Sequence, residues 1–261
     1  MLNLQFIADY LIHRLSSKTR HGVHSPFVYN LLDKIIYDFH AKEVYKPIEE
    51  LRAKLLKDKR FINTLDMGAG SLINPGKKKQ VKMLAANALK PQRLAQLIYR
   101  LAHYFNPAKV VELGTCLGIT TSYLAKAIPD GRIISVEGCP ETAAVAAENF
   151  KSLSITNVDL LTGNFDKILP EIIKTTEVLE FVFIDGNHRK EATLNYFKAC
   201  MPRLSNDSIM IFDDIYWSRG MKDAWQEIKD HPQVTLTIDL FWIGLVFIRK
   251  EQLKEHFKIK F

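Results

Sequence analysis

Cysteine is scarce in this 261-residue chain: Cys116, Cys139 and Cys200 are the only three, and none forms a C-x-x-C pair. An odd count without paired spacing argues against a disulfide framework and fits a reduced, cytoplasmic setting better. No apolar run approaches the roughly 18 residues that a membrane-crossing helix needs. The opening stretch MLNLQFIADYLIHRL carries Asp9 and His13 within its apolar positions, so neither a membrane span nor a signal peptide is expected, and no membrane partner. Tracts rich in Gly, Ser or Pro are missing as well, and with 47% hydrophobic residues the chain suits one α/β domain plus an appendage. The G-x-G-x-x-G spacing of dinucleotide enzymes is also absent, which argues against a nicotinamide or flavin cofactor.

Charge is unevenly placed. Residues 1–109 hold 19 Lys and Arg against 8 Asp and Glu, and residues 110–261 hold 17 against 21. A basic first part suits an anionic substrate, nucleic acid or a solvated lysine face. Stacking aromatics are not interleaved with these cations, so the solvated face is the plainer reading.

The chain is organised around KVVELGTCLGITTS, residues 109–122. Two β-branched residues lead to Glu112, glycines follow at Gly114 and Gly118, and an amphipathic run begins, which spells strand, tight turn and helix. Gly114 allows the turn, Gly118 leaves room for a ligand, and the free N–H groups of a helix start attract anionic groups. About 25 residues on, GRIISVEG reads as a second strand ending in Glu137, placed to accept hydrogen bonds from ribose hydroxyls. Cys116 reads as a small loop residue.

In the remaining chain, residues 2–15 have near-helical apolar spacing, Ser25-Pro26 starts a second helix, and a third follows Pro47. His21 and His24 lack ligand partners nearby and read as polar loop residues. LDMGAG, with Asp66, Gly68 and Gly70, imitates a cofactor loop, but the lysines at 77–79 that follow do not spell a packed helix. The stretch 61–80 is therefore expected to be a basic, glycine-containing loop that closes over the site. From residue 91 strands and helices alternate, and 234–239 with 245–249 read as a closing antiparallel pair. The expected fold is α/β, a doubly wound, mostly parallel sheet with a reversed last strand, divided into a helical N-terminal extension (1–90) and a cofactor domain (91–261).

Acids recur at the predicted strand ends: Glu112, Glu137, Asp185 and the pair Asp213-Asp214. Ligands of such folds bind at those ends. Three converging carboxylates, Asp185, Asp213 and Asp214, would repel one another unless a hard cation such as Mg²⁺ joined them. His188, three residues past Asp185, is a candidate proton acceptor for a substrate hydroxyl. Tyr216, Trp217 and Trp242 are candidate walls of an acceptor pocket, and the N-terminal helices are expected to cap it.

Over about residues 91–250 the sequence resembles the class I S-adenosylmethionine (SAM)-dependent methyltransferases, in particular the metal-dependent O-methyltransferases of the catechol and macrocin-type branches. VVELGTCLGITT is similar to their E-L-G-x-x-x-G-x-[ST] motif, SVEG to the ribose-binding acid, TGNFD to the segment beside adenine, and FIDGNH with FDD to the macrocin-type metal and base pattern. The resemblance implies a Rossmann-like fold, SAM as cofactor with Mg²⁺ as a candidate metal, and transfer by direct displacement. It implies a cofactor-binding set of Glu112, Gly114, Thr115, Gly118, Thr120, Glu137, Asn164, Phe165 and Asp185. Asp185, Asp213 and Asp214 are the implied metal ligands, and His188 with Asp185 the implied catalytic pair. The catechol branch has lysine at the His188 position, so this chain departs from it there. RHGVHSPFVY and DMGAGS resemble the N-terminal extension of uncharacterised bacterial methyltransferases and name no substrate. A small-molecule acceptor with a hydroxyl is the expected partner. The alternatives are a nucleic-acid methyltransferase, for which no N-P-P-Y run is present, and a non-catalytic cofactor-binding protein. The oligomeric state is left open, a homodimer included.

Overall fold

The computed structural model describes residues 4–65 and 77–261. Two compact units emerge: residues up to 38 together with 172–261, and residues 39–171. This division differs from the expected boundary at residue 90, because the first helix packs on the C-terminal part of the chain, whereas the third packs on the helix after the glycine loop.

The first unit begins with α1 (Leu4–Ser16) and α2 (Pro26–Leu31). Ser25 caps α2, its hydroxyl accepting the Val28 N–H, with Pro26 at the first helical position. A π-helical stretch, Leu32–Ile36, extends it.

The second unit continues with α3 (Tyr45–Leu55), β1 (Phe61–Thr64), β2 (Lys77–Gln80), α4 (Val81–Ala88) and α5 (Gln92–Phe105). It then alternates through β3 (Lys109–Leu113), α6 (Ile119–Ala127), β4 (Arg132–Glu137), α7 (Pro140–Ser152) and β5 (Val158–Thr162) to the start of α8 (Phe165–Lys174). β4 lies between β3 and β5 in a parallel ladder, with Val111 opposite Ile134 and Ile134 opposite Asp159. Residues 61–64 and 77–80 are not loop but an antiparallel pair, Ile62 opposite Lys79. The strand signal is weak because Ile62 is the one buried side chain of β1. The D-x-G-x-G stretch at 66–70 lies outside the described residues, so the expectation of a closing loop there remains a proposal. Helix α3 is anchored on α6: Tyr123, fully buried, donates its hydroxyl to Glu49 Oε1 at 2.8 Å, and the Tyr45 and Tyr123 rings meet edge to face at 5.4 Å.

The chain returns to the first unit with β6 (Phe181–Ile184), α9 (Lys190–Cys200), β7 (Ile209–Asp213), α10 (Arg219–Asp230), β8 (Leu236–Asp239), β9 (Ile243–Phe247) and β10 (Glu255–Lys258). β6 and β7 are parallel and every residue of both is buried, which explains their almost unbroken apolar sequence. β9 runs antiparallel to both β7 and β8, the expected reversed strand. β10 joins β8 in parallel and was not legible in the sequence: in EHFK only Phe257 is buried.

Helix α1 forms where the apolar spacing predicts it, but its packed face is a different one. Leu4, Leu11, Ile12 and Leu15 stay exposed, while Phe6 and Tyr10 meet the Phe241 ring at 5.2 and 5.0 Å and His13 is buried. His13 Nε2 lies 2.9 Å from Asp239 Oδ1. The same carboxylate accepts the Phe241 N–H, the Tyr216 hydroxyl and the Trp225 indole N–H. Burial alone would push the Asp239 carboxyl up, but the hydrogen bond and charge of His13, with the Phe241 and Tyr216 donors, hold it below the ordinary carboxylate range. Removing one partner of such a buried pair costs about 3 kcal/mol. His13→Ala should therefore lower the midpoint of thermal unfolding by about 6–12 °C for a chain of this size, read by calorimetry. An unchanged midpoint would show that α1 is not held through this pair.

Candidate functional site

In the second unit the glycine turn is built by its neighbours. Gly114 (φ 110°) and Gly118 (φ 77°) take left-handed conformations, as does Cys116 (φ 50°). The Gly114 and Thr115 N–H groups both donate to the Val136 carbonyl, which seats the turn on the end of β4. Beneath it runs a buried polar chain. Glu112 Oε2 accepts the Thr121 and Ser135 hydroxyls at 2.6 and 2.5 Å, and the Ser135 and Thr115 hydroxyls lie 2.5 Å apart. Glu112, expected among the ligand-binding residues, is fully buried, and Thr115 and Thr120 are also buried. Glu112 and Thr115 thus shape the turn from below rather than present a side chain to solvent. Ser135 and Thr121 had no signal in sequence, since a serine within a strand and a threonine within a helix are unremarkable.

Gly118 also has a packing role. A Cβ there would come within 2.6 Å of the Phe150 ring, so the glycine is required by the packing of α6 against α7.

Glu137 ends β4, half-buried. Its Oε2 accepts the Cys116 N–H at 2.8 Å and its Oε1 the Cys139 N–H at 2.9 Å. Two backbone donors thus fix the carboxylate from both sides. The Glu137 carbonyl accepts the Gly163 N–H, which brings the end of β5 alongside. There Asn164 caps α8, its Oδ1 accepting the Asp166 N–H at 2.7 Å, and Asn164 and Phe165 are both part-exposed.

The acids of the first unit form a second centre. Asp185 follows β6, Asp213 is the last residue of β7, and Asp214 (φ 54°) turns the chain away, its N–H donating to the Trp242 carbonyl. Among the described residues, one group of three has the spacing of a metal site: Asp185, His188 and Asp213 each offer a ligand atom, all within 4.8 Å of one another. His188 Nε2 lies 3.9 Å from Asp185 Oδ1 and 3.8 Å from Asp214 Oδ2. The sequence pointed to Asp185, Asp213 and Asp214 as the ligand set. In the structure His188 stands within ligand spacing of Asp185 and Asp213, and Asp214 faces His188 at 3.8 Å. Two carboxylates with an imidazole suit divalent ions such as Mn²⁺ or Zn²⁺ as well as Mg²⁺.

Beyond this centre the chain folds tightly, the Trp217 N–H returning to the Asp214 carbonyl at 2.9 Å, before Ser218 caps α10. A cavity of about 450 Å³ opens here, a size that suits a small molecule. Its walls are Gln5, Phe6 and Asp9 from α1, and Tyr216, Trp217, Ser218, Arg219, Lys222 and Asp223. Lys222 bridges the walls by pairing with Asp9 at 2.6 Å. Tyr216 and Trp217 line this cavity, and Trp242 lies 5.6 Å from the Phe6 ring. The role of Phe6 and Asp9 was not legible, because nothing local in the sequence ties α1 to residues 216–223.

Comparison with known proteins bears on both centres. A family model described as a methyltransferase domain matches residues 111–215. The catechol O-methyltransferase of Niastella koreensis is 33% identical over 117 residues, 44% of this chain and 52% of that protein. The chain spans about half the length of that relative. Two solved structures share the fold. The O-methyltransferase of Bacillus cereus, in complex with SAH, has a TM-score of 0.57 at 17% identity over 81% of this chain and 93% of its own. TomG of Streptomyces achromogenes, in complex with SAM, has a TM-score of 0.58 at 15% identity over 85% and 95%. The resemblance to class I O-methyltransferases with a Rossmann-like fold is borne out.

Proposed function

We propose that this methyltransferase-domain chain transfers the methyl group of SAM to a hydroxyl of a small molecule, with a divalent cation at the acid cluster and His188 as proton acceptor. The observation that carries this reading is the Asp185, His188 and Asp213 group with its ligand-distance spacing. When bound, SAM supplies an electrophilic methyl group, and a cation held by Asp185 and Asp213 supplies positive charge that favours an ionised acceptor oxygen.

The chain's own residues carry the remaining work. Glu137, fixed by the Cys116 and Cys139 N–H groups, accepts from ribose hydroxyls. His188 takes the acceptor proton at Nε2, which lies 3.9 Å from the Asp185 carboxylate and 3.8 Å from that of Asp214. Phe6, Tyr216 and Trp217 offer an apolar wall to the acceptor body, and helix α1 closes the cavity on that side. The N-terminal helices thereby divide their work: α1 lines the acceptor cavity, and α3 braces α6 through Glu49 and Tyr123.

Asp185→Asn should abolish the heat of Mn²⁺ or Mg²⁺ binding in calorimetry. His188→Gln should keep that heat while SAH formation from SAM, across a panel of hydroxylated acceptors, falls by about 10²–10⁴-fold. Loss of cation binding in His188→Gln would make the imidazole a ligand and sink its role as base. A wild-type chain with no cation heat would remove the metal from the mechanism.

A further inference from the structure

The β1–β2 hairpin belongs to the N-terminal extension, outside the stretch that matches the methyltransferase family. Asn63 of β1 nevertheless commits its main-chain groups and its side chain to the turn that follows Glu137. Its N–H donates to Glu141 Oε2 and its side-chain amide to Glu141 Oε1, both at 2.6 Å, so the carboxylate of the first turn of α7 is gripped at both oxygens. These hydrogen bonds hold the Glu141 carboxyl below its ordinary value. The Asn63 carbonyl accepts the Cys139 thiol at 3.2 Å, and the Leu65 N–H points to the same sulfur at 3.4 Å. One turn-pair away Arg60 reaches Glu148 of α7 at 2.8 Å and fixes the start of the strand.

Cys139 is almost fully buried, and its N–H is one of the two donors that set the Glu137 carboxylate. The intervening Gly138 has no side chain to hold the turn. A short mechanical chain therefore runs from Asn63 through Cys139 to Glu137.

We infer that the hairpin is a clasp on the cofactor site, with Asn63 as a positioning residue that keeps Glu137 aimed at the ribose. The inference rests on the reading of Glu137 as the ribose acceptor. It gives the β1–β2 hairpin a task that the methyltransferase domain alone does not explain: without the clasp, Cys139 loses its thiol acceptor, Glu141 its two donors, and Glu137 one fixed N–H. By linkage, a ligand on Glu137 stabilises the hairpin in return.

The full-length chain tests this with SAH as the probe. Asn63→Ala, which removes the amide donor to Glu141 Oε1 and keeps the main-chain groups, should raise the dissociation constant for SAH about 5-fold by calorimetry, the equivalent of one net hydrogen bond. In the ligand-free protein it should speed amide exchange in a peptide spanning 137–141, a change that mere loss of stability elsewhere would not localise. Cys139→Ser, which keeps a donor to the Asn63 carbonyl, should stay within about threefold of wild type. Glu141→Gln, which keeps one acceptor, serves if Asn63→Ala does not fold, and should weaken binding by a smaller factor. Wild-type affinity and exchange both in Asn63→Ala and in Cys139→Ala, which removes the thiol donor to the Asn63 carbonyl, with binding still lost in Glu137→Ala, overturns the clasp alone. No SAH binding by the wild-type chain overturns the cofactor reading and the clasp with it.

Discussion

Glu137→Ala should raise the dissociation constant for SAH by at least about 100-fold, the largest effect on ligand binding expected from a single substitution here. A ribose diol can donate two hydrogen bonds to one carboxylate, and bonds to a charged acceptor contribute about 1.5–3 kcal/mol each. The loss also spreads backwards, because the N–H groups of Cys116 and Cys139 close on the same two oxygens. Glu137→Gln separates the two contributions. It keeps one acceptor oxygen but turns the other into a donor that faces a backbone N–H, so binding should weaken further than the loss of charge alone explains. Calorimetric titration at matched salt reads both variants, and a change below about fivefold in Glu137→Ala would remove Glu137 from the cofactor site.

The second large effect concerns stability. Gly118→Ala asks an L residue to hold φ at 77° and places a methyl group 2.6 Å from Phe150 Cε1 and 3.3 Å from Ala146 Cβ. Left-handed backbone costs about 1–2 kcal/mol and overpacking typically another 1–3 kcal/mol. A loss of about 4 kcal/mol is expected in denaturant unfolding. Because the clash is with a ring and the strain is in the backbone, the two are separable: Gly118→Ala with Phe150→Leu should recover the packing part relative to Phe150→Leu alone and leave the backbone part. Purely additive losses in this cycle would show that the Phe150 ring is not what forbids a side chain at Gly118.

Both results depend on features that the sequence reveals unequally. The glycine turn, the acid at the end of β4 and the alternation from β3 to β9 are legible because each leaves a local mark: β-branched runs, glycine at a turn, a carboxylate where an apolar strand stops. What the turn rests on is not local. Ser135 and Thr121 stand 23 and 9 residues from Glu112, and only the fold reveals that one carboxylate gathers both hydroxyls. Gly118 shows the same limit from another side, since nothing local in the sequence marks the Phe150 ring that also packs against it. The hairpin at 61–64 and 77–80 was hidden by three consecutive lysines, which carry no strand pattern yet pair with β1. For α1 the period was right and the face was not, because a histidine and two aromatics found partners in Phe241 and Asp239 that no window of sequence contains. That Asp185, Asp213, Asp214 and His188 gather at strand ends was legible, while the closer spacing of Asp185, His188 and Asp213 was not, since the sequence pointed to Asp214 in place of His188.

The pairing of His13 with Asp239 also has a bearing on how the chain is made. Its partners are 226 positions apart, so at about 5–20 residues per second the ribosome needs roughly 10–45 s between them. Throughout that interval α1 waits with its aromatic side uncovered, while residues 39–171 can assemble from contacts nearer in sequence. Synthesis would thus complete the middle of the molecule first, with the two ends joining in the final step.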